Sequence, residues 1–392
     1  MTTSPGRITS VDAFRGFVML LMLAEAMRLW TLHDAFPGSR LWAIVAFNTT
    51  HVQWQGCSLH DLIQPAFSFL VGAAMPFSIA SRTARGQTFA RMLLHAIWRS
   101  IALILLGIFL RSLDSRQTYW TFEDTLTQIG LGYTFLFLLA FAPLRVQAIA
   151  FLAILAGFWA AFVLYPLPPP DFDYAKVGVP PDWPHLYTGF LAHFNKNSNV
   201  SWAFDVWFLN LFPRQTPFVF NSGGWSTLSF IPTLATMMLG VWSGEWLKTP
   251  RTSAQKLKGL VAAGAALTFA GLVLQWLHIC PIVKRIWTSS YTLYSGGLVI
   301  LILAAFYAAI EFKGWRRWAF PLLVIGANSI AVYVMSWTME SFVRSALVRH
   351  LGAAPFAVFG HPFEPVLRGL GVLVVFWLIL FWMYRRRIFL RI

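Results

Sequence analysis

Apolar runs close to twenty residues long recur from one end of this 392-residue sequence to the other. At about 1.5 Å of rise per residue, roughly twenty apolar residues carry a helix across the hydrocarbon layer of a bilayer. The runs read as spans are Val11–Trp30, Cys57–Ala80, Met92–Leu110, Leu126–Phe141, Val146–Leu164, Gly224–Trp246, Leu257–Trp276, Thr292–Ile310, Ala319–Trp337 and Pro365–Tyr384. The fourth is short, and the ninth is interrupted by Asn328 and Ser329. A soluble protein with a large core does not fit, because charged residues make up only 11% of the chain. Soluble domains carry about 25%. The 36 Phe and 19 Trp suit lipid contact and headgroup-level belts. The expected fold is an all-α, polytopic integral membrane bundle of about ten helices. It reads as a single domain over residues 1–392, with ordered outer loops.

The net charge of +15 invites a nucleic-acid reading. The basic residues instead sit in short clusters between apolar runs, as orientation signals do, so nucleic acid is not an expected partner. With the N-terminus in the cytoplasm, the inner loops are Ser81–Arg91, Pro143–Arg145, Lys248–Lys258, Glu311–Trp318 and the tail Arg385–Ile392. Most of the 30 lysines and arginines then lie on that side, including Arg7, Arg15 and Arg99. Both termini are expected to be cytoplasmic. The compact, Arg-rich chain reads as a multi-pass protein of a bacterial inner membrane, with the sequons at Asn48 and Asn199 unglycosylated. Met1–Ser10 is short and polar, so the first run reads as a retained start-transfer helix. Cys57 and Cys280 are too few for a disulfide framework or a zinc site. One bridge between them, or two free thiols, are the readings left open, and no metal is expected.

The outer loops Thr31–Gly56, Pro166–Gly223 and Met339–Glu364 are long. The middle one, rich in Pro, Asn and aromatics ("YPLPPPDFDY", "VPPDWPHLY"), suits an ordered cap over 166–223 as well as it suits a plain solvent-facing loop. No internal repeat is visible, which speaks against an inverted-repeat transporter.

Ionisable groups inside a span are costly, so each one asks for a reason. Asp12 and Arg15 are three apart on one face at the start of the first run. They form either a pair that compensates a helix end or a contact for an anionic ligand. Glu25 lies near the outer end of the same helix, snorkelling or facing the bundle. The segment "HVQWQGCSLHDLIQPAFSFLVG" is the most informative. His51, Trp54 and Gly56 precede a helix start, and His60, Asp61 and Gln64 follow within its first turns. A carboxylate beside a histidine can hold one ring nitrogen and raise the basicity of the other, which a general base near neutral pH requires. Gln128, Glu245 and Asn328-Ser329 are further polar points. "NSGGWSTLSFIP", from Asn221 to Pro232, opens the sixth span as a cap or as a donor of backbone N–H groups to a ligand.

At these residues the sequence resembles the heparan-alpha-glucosaminide N-acetyltransferase family and its bacterial relatives, within a wider superfamily of transmembrane acyltransferases. "RITSVDAFRGFVMLLML" is similar to the family's opening Ser-x-Asp-x-x-Arg-Gly helix. "HVQWQGCSLHDLIQPAFSFLVGAAMPFS" is similar to its His-x-x-Trp-x-Gly-x-x-x-x-Asp-Leu-x-x-Pro-x-Phe-x-Phe-x-x-Gly block. "GWSTLSFIPTLATMMLGVWSGEWL", "YTLYSGGLVILILAAFYAAIEFKGWRRW" and "PLLVIGANSIAVYVMSW" resemble its later helices, so the likeness covers most of Ile8–Trp337. The resemblance implies transfer of acetyl from cytoplasmic acetyl-CoA to a sugar amine or hydroxyl on the far side. It places the active-site histidine at His51, the motif aspartate at Asp61 and the later asparagine at Asn328. Two departures stand out: Glu25-Ala26 where relatives often carry Asn, and a longer stretch before His51. Both alter the acceptor side, so the heparan-type substrate does not carry over.

On this reading His51 acts as general base or acetyl carrier, Asp61 orients it, and Asn328 supports the developing oxyanion. Asp12, Arg15, Arg82, Arg85 and Arg99 would meet acetyl-CoA phosphates. Glu25, Trp54, His60, Gln64 and Gln128 would meet the substrates. An extended pantetheine arm of roughly 15–20 Å would bridge much of a ~30 Å core, along a path lined by Gln64, Gln128 and Asn328. The expected partners are the lipid bilayer and a sugar or glycan acceptor. Chains of this kind often form homodimers, and the sequence leaves the oligomeric state open. The alternative is a proton-coupled small-solute transporter using Glu25, His60 and Asp61; a membrane scaffold is the third.

Overall fold

The computed structural model of the chain describes residues 8–390. Arg7, together with Arg391 and Ile392 of the basic tail, lies outside the described residues. Among the described residues the chain is helical, with no strand and one isolated bridge between Gln55 and Val283. The α-helices are α1 Thr9–Ala24, α2 Thr31–Ala35, α3 Arg40–Thr49, α4 Ile63–Thr83, α5 Phe89–Arg111, α6 Thr125–Ala140, α7 Leu144–Leu164 and α8 Val200–Phe208. They continue as α9 Phe230–Lys248, α10 Ser253–Trp276, α11 Ser289–Tyr307, α12 Phe320–Gly326, α13 Ser329–Thr338, α14 Glu340–Leu351 and α15 Glu364–Arg385.

The chain is a multi-pass membrane bundle, but fewer than ten helices qualify as spans. Among the described residues 6 are long and apolar enough to cross a bilayer, or 7 if the bent pair Arg317–Gly326 and Ser329–Thr338 is one span. The difference has physical causes. Helix α6 has 16 residues. Helix α1 also has 16, after which Glu25–Met27 tightens into a 3-10 turn and Arg28 turns left-handed at φ 50°. Helix α9 carries Thr, Ser, Gly and Glu245, and buried residues run all round it, so it packs in protein and needs little lipid-facing surface. The ninth expected span bends by 66° between α12 and α13, where Asn328 interrupts its sequence.

The contacts divide the chain into two compact units. The first holds the chain up to Val52, Cys57–Phe67 and everything from Ile302 onward. In it α1 and α12 touch backbone to backbone: a Cβ at Gly16 would lie 1.8 Å from the Leu322 carbonyl oxygen. Such small-residue contacts are how helices approach closely in lipid, where no hydrophobic force drives them together. The start of α1 is capped from far along the chain, since the Ser10 N–H donates to Glu311 Oε1 at 3.1 Å. A carboxylate there meets both the unsatisfied N–H groups and the positive end of the helix dipole.

The second unit holds Gln53–Gly56 and Ser68–Leu301. In it α4 and α9 approach closely. Cβ atoms at Gly240 and Gly244 would lie 2.0 and 2.5 Å from the carbonyl oxygens of Phe69 and Ala73. Residues 166–223 form α8 and short helical turns, and Phe194 in this segment stacks on Phe162 of α7 at 5.4 Å. Asn199 is buried and its side chain accepts from the Trp202 N–H at 3.1 Å, so this sequon serves as a helix cap. Cys57 and Cys280 are not joined to each other in a disulfide.

Candidate functional site

Helix α3 delivers His51. Ser39 caps its start by accepting from the Trp42 N–H, and at its end the hydroxyls of Thr49 and Thr50 donate back to the Val45 and Ala46 carbonyls at 2.8 Å. Asn48 Oδ1 accepts from the Leu59 N–H at 3.2 Å, tying the helix to the turn that carries Asp61. That turn, the 3-10 segment His60–Leu62, runs directly into α4.

His51 Nδ1 lies 2.8 Å from Asp61 Oδ1. The Asp61 side chain is 1% exposed and that of His51 37%, so the carboxylate is sealed while the ring keeps an open edge. The second carboxylate oxygen is also engaged. Asp61 Oδ2 accepts from the Val52 N–H at 3.2 Å and the Ser58 N–H at 3.0 Å. The Ser58 hydroxyl lies 3.0 Å from the same oxygen and 2.7 Å from the Thr50 carbonyl oxygen. A carboxylate only accepts hydrogen bonds, so with Asp61 in that form Nδ1 is the donor and the proton-accepting lone pair falls to Nε2. The His60 ring sits beside the His51 ring, with centroids 4.4 Å apart.

The intervening residues Gln53–Gly56 belong to the second unit. There Trp54 is fully buried, and its indole N–H donates to the Phe194 carbonyl at 3.2 Å. The Gly56 N–H donates to the Ile282 carbonyl at 2.9 Å. Gly56 adopts φ 115°, a conformation that L side chains rarely take.

The other expected site residues are distributed as follows. Asp12 and Arg15 form an ion pair at 3.1 Å in the first unit, and Gln64 is buried there. Glu25 is exposed. Asn328 is fully buried at the α12–α13 bend and bonds the C-terminal tail: its Nδ2 donates to the Ile388 carbonyl at 2.9 Å and its Oδ1 accepts from the Leu390 N–H at 3.0 Å. In the second unit the Gln128 amide donates to the Ser226 carbonyl at 3.1 Å and accepts from the Thr233 hydroxyl at 3.2 Å. Arg99 lies over the Tyr133 ring at 4.7 Å and donates to its hydroxyl at 3.3 Å, while its buried Nε has no hydrogen-bond partner among the described residues. Arg82 lies in the last turn of α4 and Arg85 just beyond it, and each uses a donor locally, to Gln87 Oε1 at 3.3 Å and to the Ser81 carbonyl at 3.1 Å. The same end of that unit holds a cleft of about 430 Å³ lined by Pro76, Ile79, Thr83, Ala140, Glu245 and Lys248.

Sequence reasoning did not single out Ser58 or Asn48. Ser58 stands three residues before Asp61, the spacing of a side chain that caps a helix start and braces a carboxylate. That signal was available. Asn48 gives no such sign, because its bond to Leu59 depends on how the intervening loop returns.

No family model matches the chain. The human heparan-alpha-glucosaminide N-acetyltransferase is 23% identical in an alignment covering 87% of this chain and 54% of that protein. The mouse heparan-alpha-glucosaminide N-acetyltransferase is 22% identical, over 87% of this chain and 55% of its own length. The chain therefore spans about half the length of the curated relatives it matches. Over most of its residues it is similar, at a distance, to the heparan-alpha-glucosaminide N-acetyltransferases.

Proposed function

We propose that the chain is a membrane acetyltransferase that uses cytoplasmic acetyl-CoA to acetylate a sugar amine or hydroxyl arriving at the opposite face. The observation that carries this reading is the 2.8 Å contact of His51 Nδ1 with a sealed, donor-saturated Asp61. A buried acid and the imidazole it orients make up a general base that would work through Nε2. The distant likeness to N-acetyltransferases supports the reaction class.

His51 Nε2 takes the proton of the acceptor amine or hydroxyl as that group attacks. Asp61 fixes the tautomer and stabilises the imidazolium, which then returns the proton to the departing thiolate. Acetyl-CoA supplies the activated thioester when bound. The residues that would hold its phosphates are Arg82 and Arg85, whose forks keep donors beyond their local bonds, with the 430 Å³ cleft beside Lys248 next to them. The Arg99 guanidinium, in the same unit, is a further cationic contact for the donor. The span His60–Thr83 carries Asp61 in its first turn and Arg82 in its last, which suits an acceptor at one membrane face and a donor at the other. Asn328 acts through position, since its amide holds the tail.

Purified protein in nanodiscs, given acetyl-CoA and glucosamine or a neutral hexose, is expected to form the acetylated sugar with release of free CoA. No acetylated sugar from any acceptor, together with solute flux into proteoliposomes lacking acetyl-CoA, would contradict the proposal.

A further inference from the structure

In the segment Asn195–Asn199 of the second unit, five consecutive polar residues are buried, and one of them is Lys196 at 9% exposure. The asparagines have structural partners. Asn195 accepts from the Tyr187 N–H at 2.7 Å and donates to the Tyr187 carbonyl at 3.0 Å and the Tyr174 hydroxyl at 3.3 Å. Asn197, left-handed at φ 52°, donates to the carbonyls of Val177 at 2.8 Å and Asn221 at 3.0 Å. Asn199 donates to the Asn195 carbonyl at 2.7 Å. The backbone on both sides of Lys196 is thus fixed.

The lysine stem packs on the turn Asn221–Trp225. A Cβ at Gly224 would come within 3.0 Å of Lys196 Cγ and 2.7 Å of Trp54 Cζ3, and Gly224 adopts φ 76°. Only glycine meets both demands. The ammonium lies 5.2 Å from the Trp183 ring centroid. Among the described residues no carboxylate acts on it; burial and Arg285 do. A second cation stands near: the Arg285 guanidinium donates to the Gly223 carbonyl at 2.7 Å and lies 5.0 Å over Trp225. Burial, and then Arg285, hold the Lys196 pKa below its ordinary value. The stem is covered, and the ammonium stands beside a second cation with no carboxylate to offset the repulsion, which an anion between the two would relieve. The arrangement therefore fits a site completed by an anionic ligand.

We infer that Lys196 and Arg285 form an anion-binding subsite that takes a carboxylate or phosphate group of a sugar, with Trp183 and Trp225 orienting the two cations. It rests on the proposed function only in making that sugar the acceptor.

Calorimetric titration of the full-length protein in detergent with glucuronate, glucose 6-phosphate and glucose tests the inference, since binding needs no acetyl-CoA. One or both acids should bind, and which one does identifies the source of the anion. Lys196→Met should weaken that binding at least about tenfold, the scale of one charge-assisted contact. Lys196→Arg should recover it. Affinity should also fall as pH rises through the lowered lysine pKa, and stay flat over that range in Lys196→Arg. Binding of neither acid, glucose binding as tightly as the acids, or undiminished binding by Lys196→Met would overturn the inference. Acid binding without acetyl transfer would count against the acyltransferase reading alone, and transfer without acid binding against the subsite alone.

Discussion

Asp61→Asn replaces one carboxylate oxygen with an NH2 group, and the surroundings decide where that group points. Towards Val52 and Ser58 it would face two backbone N–H donors, 3.2 and 3.0 Å from the present oxygen. Leaving such buried donors without an acceptor costs about 1–3 kcal/mol each. The amide therefore turns its oxygen to the backbone and its NH2 to His51 Nδ1. That nitrogen must then accept, which moves the ring proton to Nε2 and removes the lone pair the reaction needs. Loss of a positioned base lowers the turnover rate by about 100- to 10,000-fold. The KM for acetyl-CoA should change little, because the residues proposed for the donor are untouched. The assay is the initial rate of CoA release with glucosamine as acceptor, run on Asp61→Asn, His51→Ala and the double variant. Two residues acting as one unit are non-additive, so the double variant should be no slower than His51→Ala alone. Asp61→Asn within about threefold of the unaltered protein, or independent losses that multiply in the double variant, would refute the reasoning.

Ser58→Ala removes the hydroxyl beside Asp61 Oδ2 and should slow turnover about tenfold while costing about 1 kcal/mol of stability, read from thermal melts. Trp54→Ala empties a fully buried site and breaks the bond to Phe194, and should destabilise the protein by about 3–5 kcal/mol in the same melts. Asp205, in α8, gives a pH dependence: burial raises its carboxyl to about 7, against the bonds from Thr227 that lower it. The folded state then holds a proton that the unfolded state releases near pH 4, so stability is greatest at low pH and falls as pH rises towards about 7. Melting temperatures across that range should decline for the unaltered protein, and Asp205→Asn should flatten the trend; an unchanged slope would count against the assignment.

The membrane class was legible because span length and charge scarcity are set by the solvent, and no tertiary detail alters them. The number of spans was less so. Helix α9 is diluted by hydroxyl and glycine residues that suit close contact with α4, and hydropathy alone does not separate that from a marginal span. The partnership of His51 with Asp61 was suggested by the motif, whereas the engagement of Asp61 by Val52 and Ser58 depends on a chain reversal that no local pattern encodes. The break at Asn328 was visible in the sequence; its bonds to Ile388 and Leu390, 60 or more residues further on, were not. Lys196 escaped notice because a lysine in a Pro- and Asn-rich loop reads as solvated until its neighbours are placed.

The most direct measurement is acetyl transfer by His51→Ala alongside its binding of CoA. If the imidazole moves the acceptor's proton, this variant should form no acetylated glucosamine above background while binding CoA as tightly as the unaltered protein. Transfer at an undiminished rate with the imidazole gone would contradict the account.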